Sequence, residues 1–143
     1  MFKLPNEASL LATFRPGDRK HVEITRDVSL PLVVNDYLTW SHGKLSFLVF
    51  AAPGRGPRGI VFEGSSGGAS VPQMCNWCHQ VGSGNRVGLM TARRDARSTV
   101  GVIVCADLKC RERLEDVADR YGLDLDRATE ALLQRMDQFV TRL

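Results

Sequence analysis

The chain has 143 residues, 43% of them hydrophobic and 24% charged, with a formal charge of +3 and four cysteines. That length and balance fit one globular domain, or one with a small appendage, and exclude wholesale disorder. The N-terminal residues show no basic segment leading into an apolar run, and no stretch approaches the roughly 20 apolar residues of a transmembrane helix, so a cytoplasmic location away from membranes is expected.

In chain order, residues 7–14 read as a short helix ending before Pro16-Gly17. Residues 21–25 alternate polar and apolar, the pattern of a half-buried strand. Ser29 to Pro31 is a break, and residues 35–40 read as a turn of helix capped by Asn35 or Asp36. Strands are expected over 45–50 and 59–62, joined by the Gly- and Pro-rich loop 52–58. Residues 64–70 form a Gly/Ser connection into the cysteine region; the run lacks the Lys-Ser/Thr of a phosphate-binding loop. A second hairpin is expected over 86–91 and 99–104, with a basic, exposed tip at 92–98.

After Cys110 the pattern turns helical, with Leu114, Val117, Ala118 and Tyr121 on one stripe and Gly122 as its stop. Asp124 then caps a last helix whose stripe is Ala128, Leu132, Met136, Phe139 or Val140, and Leu143. The fold class is therefore α+β: N-terminal antiparallel strands (residues 1–70), then a finger with C-terminal helices (residues 71–143), together one compact domain.

All four cysteines fall in two close pairs, Cys75-Asn-Trp-Cys78 and Cys105-Ala-Asp-Leu-Lys-Cys110. A Cys-x-x-Cys turn, a hairpin, a ligand at a strand end and another at a helix start make the layout of a treble-clef zinc finger. Four thiolates fill a tetrahedral zinc and leave no open position, so the site is expected to be structural. Other chemistries fit part of the pattern. Cys75-Asn-Trp-Cys78-His79 matches a c-type haem attachment, which requires export and leaves Cys105 and Cys110 without a role. A thioredoxin-like dithiol lacks its usual strand-and-long-helix context, and two disulfides require an oxidising compartment. His79 is expected on the surface of the turn; Trp77 fits partner binding and packing beside the site equally. Asp107 reads as the cap of the helix that holds Cys110.

Charge is unevenly spread. Residues 1–85 carry 8 Lys+Arg against 6 Asp+Glu (+2), residues 86–113 carry 7 against 3 (+4), and residues 114–143 carry 4 against 7 (−3). Arg86, Arg93, Arg94, Arg97, Lys109, Arg111 and Arg113 form a candidate partner-binding surface beside the finger, the alternative being a solvated charged face.

Met74 to Cys78, Val87 to Arg94 and Thr99 to Cys110 resemble the treble-clef (FBP) domain of the elongation-factor-G-binding proteins of the fusidic-acid-resistance type. The region from Asp36 to Trp40 and the following strand are similar to that family's lead-in. The resemblance implies Cys75, Cys78, Cys105 and Cys110 as zinc ligands, with a His of the resistance-conferring members replaced by Cys110. It also implies binding to elongation factor G and, for some members, release of that factor from ribosomes stalled by fusidic acid. Those members carry an N-terminal helical bundle, for which the first seventy residues here show no counterpart.

Three functions are thus expected in competition. The first is a non-enzymatic binding module acting on elongation factor G or the ribosome. The second is an RNA-binding zinc finger that uses the 92–98 arginines with Trp77 or His79. The third is an enzyme built on Asp107, His21 or His42, which no spacing links.

Overall fold

The computed structural model describes residues 1–64, 71–82 and 86–143. Its centre is a five-stranded antiparallel sheet in the order β3-β4-β5-β8-β9. The strands are β3 (Tyr37–His42), β4 (Leu45–Phe50), β5 (Arg58–Gly64), β8 (Val87–Arg93) and β9 (Thr99–Cys105). Around it lie β1 (Phe2–Leu4) paired with β2 (Leu32–Val34), the short helix α1 (Glu7–Ala12), and the small ladder of β6 (Gln73–Met74) and β7 (Val81–Gly82). Helices α2 (Cys110–Tyr121) and α3 (Leu125–Val140) follow the sheet. Among the described residues no helix is long and apolar enough to cross a membrane.

Strand β4 is buried without interruption from Phe47 to Phe50 because both faces of the sheet are covered there. Phe47 and Val49 join Trp40, Phe14, Leu10 and the β1–β2 residues in one core. Leu48 and Phe50 join Phe62, Met90, Val102, Trp77 and the α3 stripe in the other. The β5–β8 pairing, Phe62 opposite Ala92, makes the strands before residue 65 and the finger hairpin parts of one sheet.

The expected first helix and the 45–50, 59–62, 86–91 and 99–104 strands are present. Gly122 stops α2 in a left-handed conformation (φ 65), and Asp124 caps α3 by accepting from the Asp126 and Arg127 amides. In α2, Leu114 and Ala118 are buried as expected, whereas Tyr121 is 73% exposed.

Two expectations fail. Residues 35–40 form no helical turn; Tyr37–His42 is an edge strand running antiparallel to β4, from Tyr37 opposite Phe50 to His42 opposite Leu45. The two-residue turn at Gly43 and Lys44, with Gly43 at φ 62, closes that hairpin and sets its register. Residues 21–25 form no strand. A single 3-10 turn (Arg19–His21) takes in the first of them, and Val22 and Ile24 pack on the second core while the backbone lies outside any ladder. The Glu23 carbonyl instead accepts from Trp40 Nε1 at 2.8 Å. Beyond Gly64, the expected Gly/Ser connection lies outside the described residues.

Candidate metal centre

Three local devices deliver the four cysteines: one turn, a strand end and a helix start. Cys75 and Cys78 sit in a tight turn between β6 and β7, held by Cys75 N–H donating to the Gln80 carbonyl (2.9 Å) and His79 N–H donating to the Cys75 carbonyl (2.9 Å). His79 adopts φ 62, which lets the chain double back immediately after Cys78. Its side chain is exposed, away from the sulfurs. The Trp77 and Cys78 amides both donate to Cys75 Sγ at 3.4 Å, the arrangement that stabilises a thiolate in such a turn.

Cys105 ends β9 and Cys110 opens α2. The chain between them turns at Leu108, a buried residue with φ 59, whose N–H donates to the Cys105 carbonyl at 2.9 Å. Cys110 therefore lies in the first turn of α2, where the helix dipole favours negative charge. Asp107 is not the helix cap. Lys109 occupies that position without a side-chain cap, because the turn at Leu108 places Asp107 two residues upstream. Asp107 instead accepts from Lys109 N–H (3.0 Å) and takes both guanidinium nitrogens of Arg113 (2.8 and 2.9 Å). That fork holds its carboxyl below the usual carboxylate range.

The four Sγ atoms lie within 4.8 Å of one another, with Cys75 to Cys110 at 3.7 Å and Cys78 to Cys105 at 3.5 Å. A zinc ion with Zn–S bonds of about 2.3 Å requires tetrahedral sulfur separations near 3.8 Å, so the donor set fits that ion. The thiols themselves show why a cation belongs there. Hydrogen bonds from Cys105 and Cys110 hold the Cys75 thiol far below the ordinary thiol range, while the contacts with Cys105 and the others push Cys110 up. Four sulfurs this close cannot all be thiolates without a divalent charge among them. All four cysteines are at most 3% exposed, so the centre is closed to solvent. The paired free thiols would also serve disulfides, but the gathering of all four sulfurs within 4.8 Å of one another is what a metal uses.

The surroundings lock this knot to the sheet. Trp77 is buried against Phe62 and Phe139, with ring centroids 5.8 and 6.2 Å away, so it is part of the core. Arg135 of α3 donates to the Trp77 carbonyl at 2.6 Å. The Asn76 amide donates to Ile103 and the Ala106 amide to Arg86, both at 2.8 Å. From the other side, Tyr37 Oη donates to the Leu108 carbonyl and accepts from Arg111 N–H, and Asp36 pairs with Arg111 at 3.0 Å. Burial pushes the Tyr37 phenol up, so it stays a donor at neutral pH. Tyr37 and Arg135 were missed in the sequence; an Asp-Tyr pair opening a strand was the signal for the former.

The seven cations expected on one surface are divided by the hairpin. Val87 faces Cys105 at its metal end and Arg93 faces Thr99 at its tip, about 20 Å apart for strands of this length. Arg86, Lys109, Arg111 and Arg113 lie at the metal end, where Arg111 is paired with Asp36 and Glu115, and Arg113 with Asp107. Arg93, Arg94 and Arg97 lie at the tip, exposed, and form no ion pair among the described residues.

A search of curated proteins gives no match. Among solved structures, the fusidic acid resistance protein FusC is similar in fold, with a TM-score of 0.55 and 20% sequence identity over 85% of this chain and 57% of that one. The chain thus spans little more than half of that protein. The model of the FBP C-terminal treble-clef zinc-finger family matches residues 7–143. With its four-sulfur centre holding a structural zinc, the chain belongs to the FBP C-terminal treble-clef zinc-finger family.

Proposed function

We propose that this protein is a non-enzymatic binding module whose partner is elongation factor G, free or on the ribosome, with protection of that factor from fusidic acid as the activity such binding would serve. Family membership and the fold shared with a fusidic acid resistance protein support the choice of partner. The observation that carries the non-enzymatic part is the enclosure of the metal. Four cysteine ligands and no solvent path leave no position for water or substrate, unlike catalytic zinc. The groups nominated for catalysis support no alternative: Asp107 is engaged by Arg113, and His21 and His42 join no cluster of ligating side chains among the described residues.

A surface suited to a protein partner flanks the metal end. A groove of about 370 Å³ between β7 and α2 is lined by Val81, Arg86, Arg120 and Tyr121, among others. Tyr121 and Val81 are exposed, and so are Met74, which pairs with Val81 across β6–β7, and Leu123. An exposed Tyr beside Arg and apolar side chains is the composition of interface anchors. The test is retention of the zinc-loaded protein on immobilised, purified elongation factor G. Retention at micromolar concentration, lost in Tyr121→Ala with zinc content unchanged, is expected; absence of retention by the unaltered protein overturns the reading.

A further inference from the structure

The opposite end of the molecule has a different character. The loop after α1 and the tip of the β8–β9 hairpin are tied together: Arg15 donates to the carbonyls of Arg93 and Arg94 (3.2 Å to the latter), across 78 and 79 residues of sequence. The tip is itself a fixed turn. Asp95 Oδ1 accepts from the Arg97 and Ser98 amides at 2.8 and 2.9 Å, and Arg94 N–H donates to the Ser98 carbonyl at 2.9 Å. Between the two loops runs a cleft of about 330 Å³ whose walls include Arg15, Lys20, Arg93 and Arg94, with Asp18 and Asp95 as the acids. Both carboxylates are engaged internally, Asp18 by Arg15 at 3.1 Å and Asp95 by the turn amides. Lys20, Arg93, Arg94 and Arg97 are left with exposed cationic heads and no ion pair among the described residues.

We propose that this cleft and the adjoining hairpin tip bind the phosphate backbone of double-helical RNA. Three features select that ligand. The surface is rich in guanidinium groups, whose planar forks match phosphate oxygens. It lacks an apolar anchor: no exposed large hydrophobic residue among those described lines the cleft or lies in the tip 92–98, and the one on the same hairpin, Leu89, sits four residues before Arg93 on β8. Protein interfaces commonly centre on a buried aromatic or apolar anchor, whereas binding to a phosphate backbone draws on cationic groups alone. The tip also carries no aromatic side chain on which an unstacked base could lie, since 92–98 is Ala-Arg-Arg-Asp-Ala-Arg-Ser. Recognition is then of the duplex by its shape and phosphates, without sequence preference. This site stands independently of the elongation factor G reading and lies at the other end of the hairpin.

The test is fluorescence anisotropy with a labelled RNA duplex of about 20 base pairs, longer than the ~16 that a double-stranded-RNA module spans. Binding should weaken with salt along a log–log slope near −3, as expected for roughly three or four neutralised phosphates. Arg94→Glu with Arg97→Glu should weaken binding by about tenfold or more and reduce the slope by about 2, with unchanged circular dichroism and melting. Lys20→Glu, on the other wall of the cleft, should act in the same direction, and Arg120→Glu at the metal end should not. A single-stranded RNA of equal length should bind more weakly. Absence of duplex binding at about 50 mM salt, or binding indifferent to the tip variants, overturns the proposal. Loss of elongation factor G retention in the tip variants with duplex binding intact would assign the patch to a protein partner instead.

Discussion

The Tyr37 hydroxyl donates to the Leu108 carbonyl at 2.5 Å while accepting from the Arg111 amide at 3.1 Å. Leu108 is the left-handed residue that turns the chain between Cys105 and Cys110. One phenol on the edge strand therefore holds both sides of the second half of the metal centre, and ties strands early in the chain to the finger.

Tyr37→Phe removes that hydroxyl and leaves a carbonyl and an amide without their partner. The cost should be about 1–3 kcal/mol, or a melting point lower by roughly 2–4 °C per kcal/mol at this chain length. Zinc content should stay unchanged, because no ligand is touched. An unaltered melting temperature in differential scanning calorimetry would show that the bridge contributes nothing.

Removing the metal should have a larger effect. Structural zinc contributes roughly 10–16 kcal/mol in small zinc domains, as much as or more than the 5–15 kcal/mol total stability of a typical protein. Cys110→Ser, or chelation of the wild type, is expected to unfold the region from Cys75 onward and release one zinc per chain. Acid should do the same: bound thiolates become protonated as pH falls, so metal-dependent stability is present at neutral pH and lost on acidification. A folded Cys110→Ser protein with unchanged melting would contradict the structural role.

Gly59 lies opposite Val49 in the β4–β5 ladder, and its amide donates to the Thr13 carbonyl at 2.8 Å. A Cβ at this position would come within 2.6 Å of the Phe14 ring. Phe14 packs edge-on to both Trp40 and Phe47, so Gly59→Ala must displace the centre of the second core. Destabilisation of about 1–3 kcal/mol is expected from such overpacking. Urea denaturation would report it as a lower midpoint with zinc still bound.

Asp95 supplies the acceptor for two tip amides. Asp95→Ala should raise hydrogen exchange at Arg97 and Ser98 while leaving the global melting temperature almost unmoved, since the turn is exposed.

Elements whose pattern is local were legible. The two cysteine pairs, the β8–β9 hairpin and the α3 stripe each carry their own spacing, and the structure assembles them as read. Residues 35–40 misled because Asn35 and Asp36 are good helix caps, yet the decisive feature was the Gly43-Lys44 turn that pairs Tyr37–His42 with β4. The 21–25 alternation misled because burying Val22 and Ile24 does not require a ladder. The cation surface was illegible for a different reason. Residues 86–113 are close in sequence, but a hairpin sends its tip and its base to opposite ends of the molecule. Arg15 and Lys20 join the tip from nearly eighty residues away, and no local pattern announces that.

The most direct test of the central claim, a zinc-held scaffold that acts by binding the translation machinery, is affinity capture from a lysate of the source cell with quantitative mass spectrometry. Enrichment of elongation factor G by the zinc-loaded protein, and loss of that enrichment in Tyr121→Ala, is the expected outcome. Enrichment of neither elongation factor G nor ribosomal components over a bare matrix would contradict the claim.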